Sequence, residues 1–352
     1  MKAAHTLSTG FSPSVSAAAP NTTTQPPSIW RGVLLSACIA IVATFLGKWL
    51  PTIGGPVFAV LLGVVATNVF RVSSRFNPGI RFTAKNLLQW SIIGLGFGLS
   101  LKQVVQTGLD SLWVTLITIT VAFASAVWLG KRLGIGGKLR TMIGAGTAIC
   151  GGSAIAAIAP IIEPEDHDLV FAISTIFLFN IVAVLVFPFM GHLLGMTDLG
   201  FGLWAGTAIN DTSSVVAAAY SYSQQAGDYA TIVKLTRASL IIPLCIGLSL
   251  LQARQDKKAG KRISLTRMVP WFIIGFVLAS GIRSMNVLPA EVLAILQQAV
   301  MFTVVMALSA VGLSTNFRQL ARTGWRPIAL GMGVWIAVSV SSLAVQYGMG
   351  SW

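Results

Sequence analysis

The chain has 352 residues, 55% of them hydrophobic and only 10% charged, with a mean hydropathy of +0.79. No soluble domain hides that much apolar side chain inside itself, so a soluble fold is excluded. The formal net charge of +14 does not point to nucleic acid, because the basic residues fall in short gaps between apolar runs and no polar domain carries a basic face.

Residues 1–30 are rich in Ser, Thr, Ala and Pro without apolar periodicity, the composition of a disordered tail; residues 31–352 form the transmembrane domain. Arg31 to Leu50 gives about 20 apolar residues, which at roughly 1.5 Å each match a bilayer core of about 30 Å. No small-residue cleavage site follows this run, so it counts as the first span. Further spans are predicted at 56–70, 88–106, 111–130, 141–162, 168–190, 201–222, 230–252, 268–284, 291–315 and 325–349. The expected fold is an all-α polytopic membrane protein of about eleven membrane segments.

The loops sort by charge. Residues 71–85 carry Arg71, Arg75, Arg81 and Lys85; 131–140 carry Lys131, Arg132, Lys138 and Arg140; 252–267 carry six basic residues against Asp256; 316–326 carry Arg318, Arg322 and Arg326. With each segment counted as one crossing, all four lie on one side, and basic loops stay in the cytoplasm. The acidic loop with Glu163, Glu165, Asp166 and Asp168 then falls on the other side, the N-terminus inside and the C-terminus outside. The three cysteines, Cys38, Cys150 and Cys245, sit inside apolar segments and form neither a disulfide framework nor a metal spacing.

Short matches recur across the chain: Pro56-x-Phe58 with Pro270-x-Phe272 and Gly98-Leu99-Ser100 with Gly312-Leu313-Ser314, both offset by 214, and Thr107-Gly108 with Thr323-Gly324, offset by 216. The matched spans are an odd number of segments apart and would cross in opposite directions, the pattern of inverted repeats in transporters.

Two stretches with nearly the same spelling, Ala145-Gly146-Thr147-Ala148-Ile149-Cys150-Gly151-Gly152-Ser153 and Ala205-Gly206-Thr207-Ala208-Ile209-Asn210-Asp211-Thr212-Ser213, place Gly, Thr and Ser where a plain membrane helix carries Leu and Val. That is the composition of a broken helix, and non-helical backbone at membrane depth is tolerated only inside protein or along a wet cavity. Both stretches are therefore expected to line a site, either as broken spans or as re-entrant hairpins entering from opposite faces. The candidate substrate-binding residues are Thr147, Cys150, Gly151, Gly152, Ser153, Thr207, Asn210, Asp211, Thr212 and Ser213; half-helix N-termini there would suit an anion.

Asp211 is a coupling or gating candidate because an unpaired carboxylate in a membrane segment is costly, and it also fits as the N-cap of the second half-helix. Lys234 and Arg237, three apart on one helical face, either snorkel to the headgroups, pair with Asp211 or draw an anion. Lys102, near a segment end, reads as snorkelling, and the acidic cluster with His167 reads as a solvated loop. No catalytic triad, phosphate-cradling loop, nucleotide fingerprint, cofactor motif or metal site is legible, so no enzyme is expected.

Through Gly146–Ile155, through Trp204–Thr212 running into Val215-Val216-Ala217-Ala218, and through Lys234-Leu235-Thr236-Arg237, the chain from about residue 30 to its end resembles the sulfate-exporter family of bacterial inner-membrane proteins. That family is grouped with the bile acid, arsenite and riboflavin transporter superfamily. The resemblance implies inverted repeats, crossed discontinuous helices in a core domain, and elevator-type movement against a scaffold. The chain departs from its relatives at Asn210-Asp211, where similar proteins often have His followed by an acid, and at Ser214, where Gln is common. A proton-coupling role for that His therefore does not carry over.

The expected function is a secondary transporter of a small inorganic or organic anion, sulfate or a related oxyanion or sulfonate, acting as an exporter. The alternatives are a sodium- or proton-coupled organic anion symporter, an anion channel, which would need a continuous pore, and a membrane-embedded enzyme, for which only 163–168 offers a cluster. H+ or Na+ and the lipid bilayer are the other expected partners, and a homodimer stays open.

Overall fold

The computed structural model describes residues 28–50, 53–255, 270–317 and 324–350. The tail up to residue 27, most of the basic loop 252–267, and Arg318 and Arg322 lie outside the described residues. Every regular element among the described residues is helical, and six helical stretches, one of them Gln224–Leu251 across the joint of two helices, are long and apolar enough to cross a bilayer.

The chain opens with α1 (Ile29–Trp49) and α2 (Gly54–Val69), which pack against each other. The buried face of α1 is Gly32, Ser36, Ala40 and Ala43, a stripe of small residues that lets backbones approach where lipid supplies no hydrophobic drive for association. Gly63 of α2 meets Gly312 in the same way: a methyl group on Gly63 would lie 2.3 Å from the Ser309 carbonyl oxygen.

The next crossing differs from the predicted one. Arg81 and Lys85 are helical rather than in a loop: α3 (Asn77–Phe82), a π-helical turn at Thr83–Leu87 and α4 (Leu88–Leu95) run on continuously. The chain reverses at Gly96–Ser100, and α5 (Leu101–Arg132) runs unbroken through 107–110, where the sequence divided the predicted spans 88–106 and 111–130. The reason is local. Ser100 and Gln103 form a capping box, which starts a helix and moves the turn ahead of the gap at 107–110. Lys102 is exposed in the first turn of α5.

There follow α6 (Gly137–Ala148), α7 (Gly152–Ile162), α8 (Asp166–Leu193), α9 (Asp198–Ala208), α10 (Thr212–Tyr222) and α11 (Gln224–Ser239). The helix α11 starts six residues before the predicted span at 230, because Ser223 caps it, its hydroxyl accepting from the Ala226 N–H at 3.0 Å. The chain closes with α12 (Ile241–Gln255), α13 (Trp271–Ser284), α14 (Ala290–Leu313) and α15 (Trp325–Met349).

Two apolar cores result. One joins α5 to α12 and α15 through Met142, Ile143, Ile155, Phe187, Trp204 and Val334. The other joins α1, α2, α4, α13 and α14 through Val57, Val60, Ile92, Phe276, Val304 and Leu308, and touches the first body through Val184, Val216 and Tyr220. Large apolar side chains also face outward, among them Trp30 and Trp49 at the two ends of α1, Trp113, Trp128, Phe189 and Trp325. Such a surface suits lipid, with indoles at helix ends where the headgroups lie.

Candidate functional site

Both candidate stretches are breaks between half-helices. Ile149, at φ −118° and ψ −90°, ends α6, and Gly151 at φ +70° starts α7. Ile209 and Asp211, both extended, separate α9 from α10. Each pair folds back on itself. The Lys138 ammonium donates to the Glu163 carbonyl at 2.7 Å across 25 residues, positions that one continuous helix would hold about 37 Å apart. At the second unit, the Tyr222 hydroxyl donates to the Met196 carbonyl at 2.6 Å, and the Tyr222 ring stacks on Phe201 and His192 with centroids 4.0 and 4.3 Å away.

The two units are thus hairpins, α6–α7 and α9–α10. This corrects the single-crossing count, which put 163–168 opposite 131–140: Lys138 and Glu163 hold both at one end. The helix α8 connects the mouth of the first hairpin to the mouth of the second and is 28 residues long, about 42 Å. The hairpins therefore open at opposite ends of α8, and their tips meet between.

Lys234 and Arg237 join the tips. Both are fully buried, at 0% exposure. The Lys234 ammonium donates to the Ile149 carbonyl at 2.8 Å and to the Ile209 carbonyl at 2.9 Å. Arg237 donates through Nε to the Ala148 carbonyl at 2.5 Å, and through its two terminal nitrogens to the carbonyls of Thr207 and Thr147. These are the last carbonyls of α6 and α9, which have no partner within their own helices and carry the negative end of the helix dipole. Two of the three expected roles are not observed: full burial rules out snorkelling, and the Lys234 ammonium is turned to carbonyls, with Asp211 outside ion-pairing distance.

With both C-terminal ends held by cations, the half-helix N-termini differ. At α10, Asp211 is the cap: Oδ2 accepts from the Ser213 N–H at 3.0 Å and from the Ser213 hydroxyl. At α7 no side chain caps the first turn, and a methyl group on Gly152 would meet nothing within 4 Å. Ser153 is exposed, its hydroxyl donating to the Cys150 carbonyl at 3.3 Å. Cys150 and Thr212 are buried in the two tips, and the Thr147 hydroxyl has no partner. Asn210 is 1% exposed and neither amide atom has a partner. Thr207 is the exception among the candidates: its hydroxyl bonds the Leu203 carbonyl at 2.6 Å and Ser342 of α15 at 2.7 Å, so it fastens α9 to α15.

Sequence reasoning missed Asn180 and Thr315, which line a crevice beside Asp211 and Ser213. Asn180 had a signal: it is a lone amide in the apolar run of α8, and the argument applied to Asp211 covers it too. It also missed Asp228, which accepts from the Tyr220 hydroxyl at 2.6 Å inside a predicted loop. The acidic cluster is held together by His167, whose two ring nitrogens lie 3.3 Å from Glu165 and 3.2 Å from Asp168 at the surface.

The sequence profile of the family described as "Conserved hypothetical protein 698" matches residues 31–331. The chain belongs to this family. Its relatives carry the name UPF0324 membrane protein: one from Clostridium tetani is 40% identical over 334 residues, covering 91% of this chain and 97% of its own length. One from Streptococcus agalactiae is 42% identical over 332 residues, covering 91% and 98%, and one from Streptococcus pyogenes is 43% identical over 330 residues, covering 91% and 97%. No solved structure matches. As a UPF0324 protein the chain is a membrane protein, which agrees with its outward-facing apolar helices.

Proposed function

We propose that the chain is a secondary transporter of a small anion, sulfate or a related oxyanion or sulfonate, exporting it across the bacterial inner membrane. The transport body is α5 to α12 with α15, moving elevator-like against α1 to α4, α13 and α14. One arrangement carries this reading: two hairpin tips meet at membrane depth over two buried cations, and the uncapped N-terminus of α7 opens beside them. Free N–H groups at Gly152 and Ser153, with the positive end of the α7 dipole, offer an anion its donors. Lys234 and Arg237 give the same region more positive charge than Asp211 offsets. No residue is assigned a catalytic role.

In this proposal eleven membrane segments remain, the two hairpins being re-entrant from opposite faces and the other nine crossing. The basic loops then stay on one side with a cytoplasmic N-terminus. The inverted halves belong to the same reading, with Pro56 in the first turn of α2 answering Pro270 at the cap of α13, and Gly98 and Gly312 near the ends of the following helices.

The test of transport is exchange of radiolabelled sulfate, thiosulfate and a small alkylsulfonate by the full chain in proteoliposomes. Saturable uptake, accelerated by unlabelled anion on the other side, is expected. Non-saturating flux with a steady conductance would make the protein a channel, and no exchange of any of the three would sink the anion reading. Orientation is tested separately by cysteine labelling in a Cys-free background. Reporters at Arg132 and at Glu165 are expected to be protected together from an impermeant reagent added outside, while one at Gln224 reacts; opposite behaviour of Arg132 and Glu165 would break the first hairpin.

A further inference from the structure

On the far side of Asp211 from the first hairpin's glycines, at the tip of the second hairpin, one crevice collects polar groups from both bodies. It lies between α8, the start of α10, α2 and α14, and Asn180, Asp211, Ser213, Ser214 and Thr315 line it beside apolar residues such as Phe177 and Leu308. Asn180 is only 4% exposed, and its Oδ1 has no hydrogen-bond partner. A buried amide oxygen without a partner has lost its hydration for nothing, and native structures answer such a group with water, an ion or a ligand.

The chemistry of the lining narrows the choice. The two bonds that make Asp211 a cap both arrive at Oδ2 from Ser213. The Thr315 hydroxyl donates to the Val311 carbonyl at 3.2 Å, which leaves its oxygen lone pairs as acceptors. The crevice thus offers a carboxylate, an amide oxygen and hydroxyl oxygens, and no Lys or Arg lines it. Lys234 is turned to the carbonyls of Ile149 and Ile209. An anion would meet the Asp211 charge without a matching cation. A divalent ion commonly draws more than one carboxylate or substrate phosphate, so a single carboxylate among neutral oxygens matches one positive charge.

We propose that this crevice binds one monovalent alkali cation, of sodium's class, held by Asn180 Oδ1 and Asp211 from one body and by Thr315 from the other. Because its ligands come from both bodies, the cation fits only in the register seen here and favours this arrangement over any in which the bodies have slid. A bound cation also gives the Asp211 carboxylate a partner in direct contact at membrane depth, which Lys234 does not supply. The proposal goes beyond the transporter reading and concerns binding alone.

The experiment is thermal unfolding of the purified full chain in detergent, with sodium chloride titrated against choline chloride at constant ionic strength and pH. A saturable rise in melting temperature with sodium but not choline is expected. Asn180→Leu and Asp211→Asn should lose the sodium response, although Asn caps a helix about as well as Asp. Asn180→Asp, which keeps the oxygen, should retain it, and Thr315→Val should need roughly tenfold more sodium, the equivalent of one lost oxygen contact. Absence of any cation-specific stabilisation in the wild type would mean that Asn180 Oδ1 takes only water and would overturn the proposal. So would an undiminished sodium response in Asp211→Asn, or stabilisation that follows acidification instead of sodium, which would put a proton on Asp211. Anion exchange can fail while sodium binding stands, and sodium binding can fail while anion exchange stands.

Discussion

Replacing Arg237 with Met is expected to give the largest loss of stability of any single substitution at the hairpin junction, together with loss of transport. Arg237 donates to three carbonyls, of Thr147, Ala148 and Thr207, and all belong to helix ends inside the protein. Met keeps much of the stem's volume but leaves those carbonyls without donors. Each unsatisfied buried polar group costs about 1–3 kcal/mol, against a total stability that for ordinary domains is on the order of 5–15 kcal/mol. Lys234→Met strands two carbonyls, Ile149 and Ile209, and should cost less. Arg237→Lys separates charge from geometry: it keeps the cation but loses the planar fork that reaches both hairpins, so an intermediate loss is expected. Thermal unfolding in detergent followed by size-exclusion profile reads all three. An Arg237→Met protein that melts with the wild type and still exchanges anion would show that the junction is held by apolar packing alone.

The reason for placing cations here is electrostatic. A hairpin that reverses at membrane depth ends one half-helix inside the protein, and the last carbonyls of that half-helix concentrate partial negative charge. Two such ends meet at the junction, from α6 and α9. Burying one Arg and one Lys against them avoids an isolated charge, because each cation is solvated by carbonyls, and it ties the hairpins together: every bond that Lys234 makes to one tip is matched by a bond to the other. Such a pair makes the two hairpins one unit in any movement of the body.

The breaks themselves were legible, because Gly, Thr and Ser crowded at 144–153 and 205–213 have no place in a lipid-facing helix. The folding back was not. A crossing and a hairpin of the same residues leave the other basic loops equally placed, and only a contact between distant positions, Lys138 with Glu163 or Tyr222 with Met196, tells them apart. The partners of Lys234 and Arg237 were hidden for a similar reason. A sequence displays acidic side chains such as Asp211 as partners for a cation, whereas the partners here are backbone carbonyls, which every residue has and which only the tertiary fold makes available. The division at 107–110 failed because the capping box of Ser100 and Gln103 places the turn ten residues earlier than the polar pattern does. Asn180 was missed through attention to charge, although an amide in an apolar span raises the same question as a carboxylate.

The adjacent glycines of the first tip are expected to separate folding from binding. Gly151 sits at φ +70° and ψ −130°, a conformation open in practice only to glycine, and a side chain forced into it costs on the order of 1–3 kcal/mol. A methyl group there would also press on Ile176 Cγ2 of α8 at 3.3 Å, while meeting Asp211 Cβ at an ordinary 3.5 Å, so Gly151→Ala should lower the melting temperature. Gly152 is the first residue of α7 and faces open space. The Cβ of Gly152→Leu meets no atom within 4 Å, and exchanging Gly for a good helix former in a helix gains about 1 kcal/mol of propensity, so the fold should survive. The leucine would instead fill the space in front of the uncapped N–H groups of α7. Uptake of radiolabelled anion should therefore fall steeply in Gly152→Leu at wild-type stability, and only in proportion to the folded fraction in Gly151→Ala. Wild-type uptake by Gly152→Leu would remove the α7 N-terminus from the anion path and leave the glycine pair as a device for turning the chain.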